Sequence, residues 1–245
     1  MVSRPPRKIH STALIPDAAP DDLPFGRDVA QEIDFLIDLM NLNPEQAILD
    51  VASGAGSHAL ELARRGFGRV TAVDLSDQLL GIGGRVARTA RINVDFVKGD
   101  PRQLSLAKPY DAALVIGGGA FGLMESDEEN QEILDATFNA LLPGGRVVLS
   151  GMSLLWLVRN ANDLSGFDPF TGYLTTSETV RVEGGAVEQF PLHERYYVFP
   201  HLKRQLEAAG FRNVMGFGAA PGRFSSRSIS VEDPEILLYG IKPKG

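Results

Sequence analysis

The thirty residues from Ala47 to Ser76, AILDVASGAGSHALELARRGFGRVTAVDLS, constrain this chain more than any other stretch. They read in order as strand, glycine turn, helix and a second strand that ends in an acid. Ala47 to Val51 is an apolar run of buried-strand length, with one acid, Asp50, near its carboxyl end. Gly54 and Gly56 let the backbone turn sharply and let a ligand rest directly on main chain, since neither carries a Cβ. Ser57 is the expected N-cap of a helix that buries Ala59, Leu60, Leu62 and Ala63 and points its first amides back at the turn, a setting that favours an anion. The second strand, Arg69 to Val73, leads to Asp74, eighteen residues after Gly56, where a carboxylate accepts hydrogen bonds from both hydroxyls of a ribose. That order describes a site for a nucleoside-bearing cofactor.

Gly54, Gly56 and Ala59 also satisfy the G-x-G-x-x-A form of the dinucleotide fingerprint, so a nicotinamide oxidoreductase is the first rival reading. Three features favour a different cofactor. Asp50 puts a negative charge where a pyrophosphate would lie, which suits a ligand carrying an ammonium group. A helix with Val29, Ile33, Leu36, Ile37 and Met40 at helical spacing precedes the first strand, whereas dinucleotide domains commonly begin with the strand. A third strand, Val94 to Val97, ends at Gly99-Asp100 and supplies a carboxylate to which an adenine amino group can donate. Adenosine with an amino-acid tail fits all three.

The chain resembles the class I S-adenosylmethionine-dependent methyltransferases from Gln31 to Lys244. ILDVASGAGSHALELARRGF looks like their first motif, VTAVDLS their second, FVKGDPRQL their third, YDAALVIGGGAFG their fourth and LLPGGRVVLSG the turn into their fifth strand. HERYYVFPHLKRQLEAAGFRNVMGFG looks like the closing segment of their small-molecule branch. The resemblance implies S-adenosyl-L-methionine as cofactor and S-adenosyl-L-homocysteine as product. It places Asp50, Gly54 and Gly56 at the methionine end, Asp74 at the ribose, Leu75 on the adenine face, Asp100 at the adenine amino group and Gly117 beside the sulfonium; Ala52, Pro101 and Phe121 complete the cofactor-binding set. Ala52-Ser53 stands where many members of that branch carry Pro-Cys or Gly-Cys, and Ala55 where they carry Thr, with the glycines untouched.

The remaining chain continues the alternation that builds a doubly wound, mostly parallel α/β sheet. Helices are expected at 28 to 40, from 57 and from 76, the last weakened by Gly81, Gly83 and Gly84, and a strand at 111 to 116 runs into the glycine-rich turn 117 to 122. Ser126 with Glu129 makes a capping box for a helix whose apolar face is Ile133, Leu134, Phe138 and Leu141, and Pro143-Gly144-Gly145 stops it ahead of a fifth strand from Arg146 to Ser150. Strands near 214 to 217 and 236 to 241 close a Rossmann-like sheet of seven strands with a carboxyl-terminal antiparallel hairpin. Residues 1 to 26 read as a tail or lid, and 27 to 245 as one domain with an acceptor-covering insertion at about 152 to 195.

That insertion contains a hairpin around Gly184-Gly185 and the aromatics Trp156, Phe167, Phe170, Tyr173 and Phe190, about half of which are expected to wall a pocket for an apolar or ring-containing small molecule. Methyl transfer is in-line displacement at an activated carbon, so the protein mainly aligns the reactants. The expected acceptor atom is oxygen or nitrogen, with His193 and Tyr197 as candidate catalytic residues. His58 reads as a packing or capping residue, His201 as surface, and Arg223 and Arg227 as solvated loop cations rather than a clamp. A non-catalytic cofactor-binding module is the second rival.

A formal net charge of −7 is poor for holding a phosphate backbone, so nucleic acid is not an expected partner. The chain has no cysteine, which excludes disulfides and thiolate metal sites, and no Asp and Asn cluster follows the fourth strand, so no metal is expected. No apolar run reaches secretory-signal or membrane-spanning length, which makes the cytoplasm the expected location.

Overall fold

Short apolar strands alternating with amphipathic helices are stable only as a parallel sheet covered on both faces. The computed structural model describes residues 29–117, 120–181 and 187–244 and has that form. Strands β1 (Ala47–Val51), β2 (Arg69–Asp74), β3 (Asp95–Lys98), β4 (Tyr110–Val115) and β5 (Leu141–Ser153) lie parallel in the spatial order β3, β2, β1, β4, β5. The final strand, β10 (Glu235–Ile241), runs antiparallel to β5, and β9 (Arg212–Ala219) antiparallel to β10, which completes the expected seven strands. The chain leaves β1 toward one edge and returns to β4 on the other side of β1, so the crevice at their carboxyl ends is the topological switch point.

Alternation sorts the core into two layers. Helices α1 (Val29–Met40), α2 (Ser57–Arg64) and α3 (Asp77–Ala90) cover one face, where Ile33, Leu36, Leu62 and Ile48 are fully buried. Helices α4 (Asp127–Ala140) and α6 (Phe199–Ala209) cover the other with Ile133, Leu134, Leu202 and Leu206. Ser126 caps α4 by accepting from the Glu129 amide at 3.2 Å, and the Glu129 side chain reaches back to the Glu125 amide rather than to Ser126. The carboxyl end of α4 is held by the Lys242 ammonium, which donates to the Phe138 and Leu141 carbonyls at 2.8 Å. Strand β5 begins at Leu141, ahead of Pro143-Gly144-Gly145, and α6 begins at Phe199 with Pro200 in its first turn, ahead of His201.

Beyond the end of β4, the exposed edge of β5 takes a new partner. After helix α5 (Leu154–Asn160), strands β6 (Phe167–Asp168), β7 (Tyr173–Arg181) and β8 (Val187–Tyr197) form an antiparallel lobe, and β8 pairs with β5 at Met152–Tyr196 and Ser153–Tyr197. The lobe therefore stands over the carboxyl end of β4. The expected hairpin is present as the β7–β8 pairing; its turn at 182–186, the segment 1–28 and the pair 118–119 lie outside the described residues. Among the described residues no helix is long and apolar enough to cross a membrane.

The glycines of α3 do not interrupt it, and one of them is required. A Cβ on Gly83 would sit 2.3 Å from the Ala55 carbonyl oxygen and 2.5 Å from the Phe96 ring, because α3 packs directly on the glycine turn. A Cβ on Gly84 meets only the flexible Arg88 guanidinium, at 3.5 Å. Gly84→Ala is expected to stabilise the protein by about 0.5–1 kcal/mol through helix propensity. Gly83→Ala should destabilise it by about 1–3 kcal/mol through overpacking, despite the same gain. Paired denaturant titrations check the opposite signs.

Candidate active site

The turn after β1 is built from backbone in the left-handed region: Ala52 has φ 54°, Gly54 59° and Gly56 76°. Ala52 carries a Cβ in that region, which stores about 1–2 kcal/mol of strain. The N-cap of α2 is Gly56 and not Ser57, and it supplies no side-chain cap. Asp50 takes over that task from beneath, its carboxylate accepting from the Ala59 amide in the first turn of α2. Asp74 closes the turn from the other side. Its Oδ2 accepts from the Gly54 amide and its Oδ1 from the Ser76 amide, both at 2.8 Å, and the Ser53 amide donates to the Val73 carbonyl at 2.9 Å. The two acids at the ends of β1 and β2 thus hold the glycine turn in place.

Asp50 is 2 % exposed, and its Oδ2 has no hydrogen-bond partner among the described residues, as is also true of the buried Ser53 Oγ. Burial pushes the Asp50 carboxyl up to about 6, with Asp74 adding to the rise and the His58 ring and the Ala59 amide opposing it. A buried acceptor with a spare oxygen, at the mouth of a bare backbone turn, fits the ammonium of an amino-acid tail.

His58 is not a simple packing residue. Its Nε2 lies 2.7 Å from Glu32 Oε2, and Glu32 Oε1 accepts from the Gly222 amide at 2.6 Å, so α1, α2 and the loop after β9 are tied at one point. Burial lowers the His58 pKa, but the Glu32 hydrogen bond and the charges of Asp50, Glu32 and Glu235 outweigh it and leave the pKa raised. The His58 ring also lies beside Gly117, 3.8 Å from where a Cβ would be. The Gly117 amide donates to Ser150 Oγ at 3.2 Å, and Ser150 in turn bonds the carboxylate of Glu235. Burial pushes Glu235 up to about 7, with Glu32 and Glu194 adding to the rise and Ser150 and His58 opposing it.

Among the other expected residues, Asp100 is half-buried and engaged by Arg102, which donates from its amide at 2.9 Å and from its guanidinium at 2.7–3.3 Å. Burial would raise the Asp100 pKa, yet these bonds hold it below the usual range. Leu75, just after β2, is half-buried, and Pro101, in the turn after β3, is buried. Phe121, from the turn after β4, stacks on Tyr197 at 5.4 Å. Tyr197 is 1 % exposed and burial raises its pKa well above the ordinary tyrosine range. His193 stacks on Tyr173 at 4.3 Å, its Nδ1 lies 2.9 Å from Thr175 Oγ1, and burial lowers its pKa. The fold thus gathers Asp50, Ala52, Gly54, Gly56, Asp74 and Gly117 at the switch point and leaves His193 in the lobe.

The lobe is anchored by residues that spacing did not single out. Buried Arg195 donates to both oxygens of Asp127, at 2.9 and 3.2 Å, and to the Tyr196 carbonyl at 2.7 Å; its Nη2 lies 3.0 Å from His201 Nδ1. His201 is therefore half-buried in this network and not simply surface. Fully buried Asn130 accepts from the Gly122 amide at 2.7 Å and donates to the Tyr173 hydroxyl at 3.1 Å, joining the turn after β4 to the lobe. Of the aromatics expected to wall a pocket, Phe170 is 98 % exposed, Tyr173 is buried, Trp156 and Phe167 are half-buried, and the Phe190 side chain lies outside the described residues. Arg227 pairs with the buried Asp233.

Residues 48–145 match the family described as a methyltransferase domain. The ubiquinone/menaquinone biosynthesis C-methyltransferase UbiE of Serratia proteamaculans is 29% identical over 223 residues, 87% of this chain and 84% of that protein. The CcbJ methyltransferase from Streptomyces caelestis shares the fold with a TM-score of 0.73 at 20% identity, over 93% of this chain and 94% of its own. The glycopeptide N-methyltransferase MtfA in complex with S-adenosyl-L-methionine gives 0.59 at 18% identity, over 93% of this chain and 100% of its own. These likenesses support the class I S-adenosyl-L-methionine-dependent methyltransferase reading of the glycine turn over the nicotinamide one.

Proposed function

We propose that this methyltransferase acts on nitrogen or oxygen of a small-molecule acceptor held between the β7–β8 lobe and the carboxyl ends of β4 and β5. The observation that carries the reading is the pairing of β8 with β5 past the end of β4, which stands a wall over the switch-point crevice. Such a wall favours a ligand that fits beneath it over an extended polymer, and the net charge of −7 argues against a nucleic acid. A carbon acceptor is the second reading, because the similar Serratia protein is named a C-methyltransferase.

In this reading Asp50, with Ala52, Gly54 and Gly56, receives the methionine end of the cofactor, which brings the methyl group already activated on positive sulfur. Asp74 has one amide on each oxygen and a remaining acceptor site on each for the ribose hydroxyls. Leu75 and Pro101 flank the adenine, whose amino group Asp100 accepts. Gly117 and Phe121 border the reacting centre. Tyr197 and His193 act as wall and support: the raised pKa of Tyr197 disfavours its phenolate, and His193 is occupied by Tyr173 and Thr175.

Incubating the protein with methyl-labelled cofactor and a metabolite extract, then assigning the labelled atom by NMR, is expected to give N-methyl or O-methyl small-molecule products. Label found only on carbon overturns the heteroatom reading. Asp74→Ala should weaken S-adenosyl-L-homocysteine binding by more than about 1 kcal/mol, and calorimetric affinity equal to wild type would contradict the ribose assignment. An ammonium placed beside Asp50 lowers its pKa from about 6, and the same charge lowers that of His58, so both shed protons on binding. Titration of S-adenosyl-L-homocysteine at pH 6 in buffers of different ionisation enthalpy should therefore report net proton release. Proton uptake would contradict that placement.

A further inference from the structure

Side-chain alternation divides β8 between two roles. His193, Arg195 and Tyr197 share the face that packs toward α4 and α6, while Glu194 and Tyr196 occupy the other. That second face lies on the α1 and α2 side of the sheet, which Tyr196 and Glu235 share through their common register partner Met152, together with Ser150 of β5. Glu235 is thus met by Ser150 from β5, Glu32 from α1, His58 from α2 and Glu194 from β8. The other acids nearby are engaged. Glu32 holds His58 and the Gly222 amide, Asp74 holds two amides, Asp50 holds the Ala59 amide, and Glu194 bonds the Tyr196 hydroxyl.

Ser150 gives this cluster a direction. A hydroxyl has one proton, and because Ser150 Oγ accepts from the Gly117 amide, that proton is directed at the Glu235 carboxylate. Gly117 in turn has the His58 ring on its other side. Two short chains, Glu235–Ser150 and Glu32–His58, converge on the turn that ends β4.

We propose that Glu235 is the charge partner of the methyl-transfer point, favouring the cationic cofactor over its neutral thioether product and taking the proton that the acceptor sheds. In the step, the lone pair of the acceptor nitrogen or oxygen forms a bond to the methyl carbon while the carbon–sulfur bond breaks, its electron pair passing to sulfur. The N–H or O–H proton moves to the Glu235 carboxylate and leaves to solvent as product departs. Burial leaves Glu235 near neutrality, at about 7, so a neighbouring cation ionises it and loss of that cation restores its affinity for a proton. The proton-taking half rests on the heteroatom acceptor proposed above; the preference for a cation does not.

The test compares two probes by calorimetry: sinefungin, which carries an amine in place of the methyl-bearing sulfonium, and neutral S-adenosyl-L-homocysteine. The preference for sinefungin at pH 8.5 is expected to be about tenfold lower in Glu235→Gln than in wild type, the scale of one pKa unit between close charges. At pH 5.5, where Glu235 is protonated, the two proteins should give the same preference, and Glu235→Asp should retain the difference between the two pH values. Equal preferences in wild type and Glu235→Gln at both pH values overturn the proposal. Ser150→Ala supplies a second route, because loss of the hydroxyl bond should move the midpoint of the preference to higher pH; an unmoved midpoint also overturns it. Methylation confined to carbon, with the Glu235-dependent preference intact, would remove the heteroatom reading and leave the charge role supported.

Discussion

Two buried carboxylates at the carboxyl ends of adjacent strands hold the rest of the site in place. Asp50 caps α2 from beneath because Gly56 has no side chain with which to do so, and Asp74 holds the Gly54 and Ser76 amides on either side of the turn. An uncompensated buried charge is expensive, and among the described residues Asp50 keeps one oxygen without a partner. The turn is therefore pre-organised and electrostatically incomplete, a state that a cationic ligand tail relieves. The strain at Ala52 and the tight seat of α3 on Gly83 have the same effect, fixing the backbone where a ligand must approach it.

The proposed acceptor side is built differently. Its lobe is a small antiparallel sheet that could not bury much apolar surface alone, and it is fastened by the ion pair of buried Arg195 with the partly exposed Asp127 and by the Asn130 bridge to the turn after β4. Gly172 is part of that fastening, since a Cβ there would fall 1.8 Å from the Arg195 guanidinium. The proposed cofactor and acceptor sides meet at Gly117 and Phe121, so the turn after β4 serves both in this reading.

Local order in the sequence made the cofactor half legible. The strand, glycine turn, helix and acid of residues 47 to 76 lie within one βαβ unit, and the boundaries of β1, β2 and β10 fall within a residue of expectation. The relations that shape the chemistry were not legible because their partners are far apart in the chain. Glu32 meets His58 across 26 residues and Gly222 across 190, and Arg195 meets Asp127 across 68. His193 and Tyr197 stood out as chemistry-bearing types, but only the register of β8 against β5 tells which of its faces shares the side of Glu235. That alternation was present in the sequence; the identity of the neighbouring strand was not. Ser57 was misread as a cap for a related reason: the hydrogen bond it was expected to supply comes from Asp50, on the preceding strand.

The central claim is that the cofactor lies on the backbone turn between β1 and α2, at the switch point. Amide NMR of labelled protein titrated with S-adenosyl-L-homocysteine tests it most directly. Shifts at Gly54, Gly56, Ala59 and Gly117 are the predicted result. Shifts confined to the groove lined by Arg102, Leu104, Glu132 and Asn139, on the opposite layer of the sheet, would contradict it.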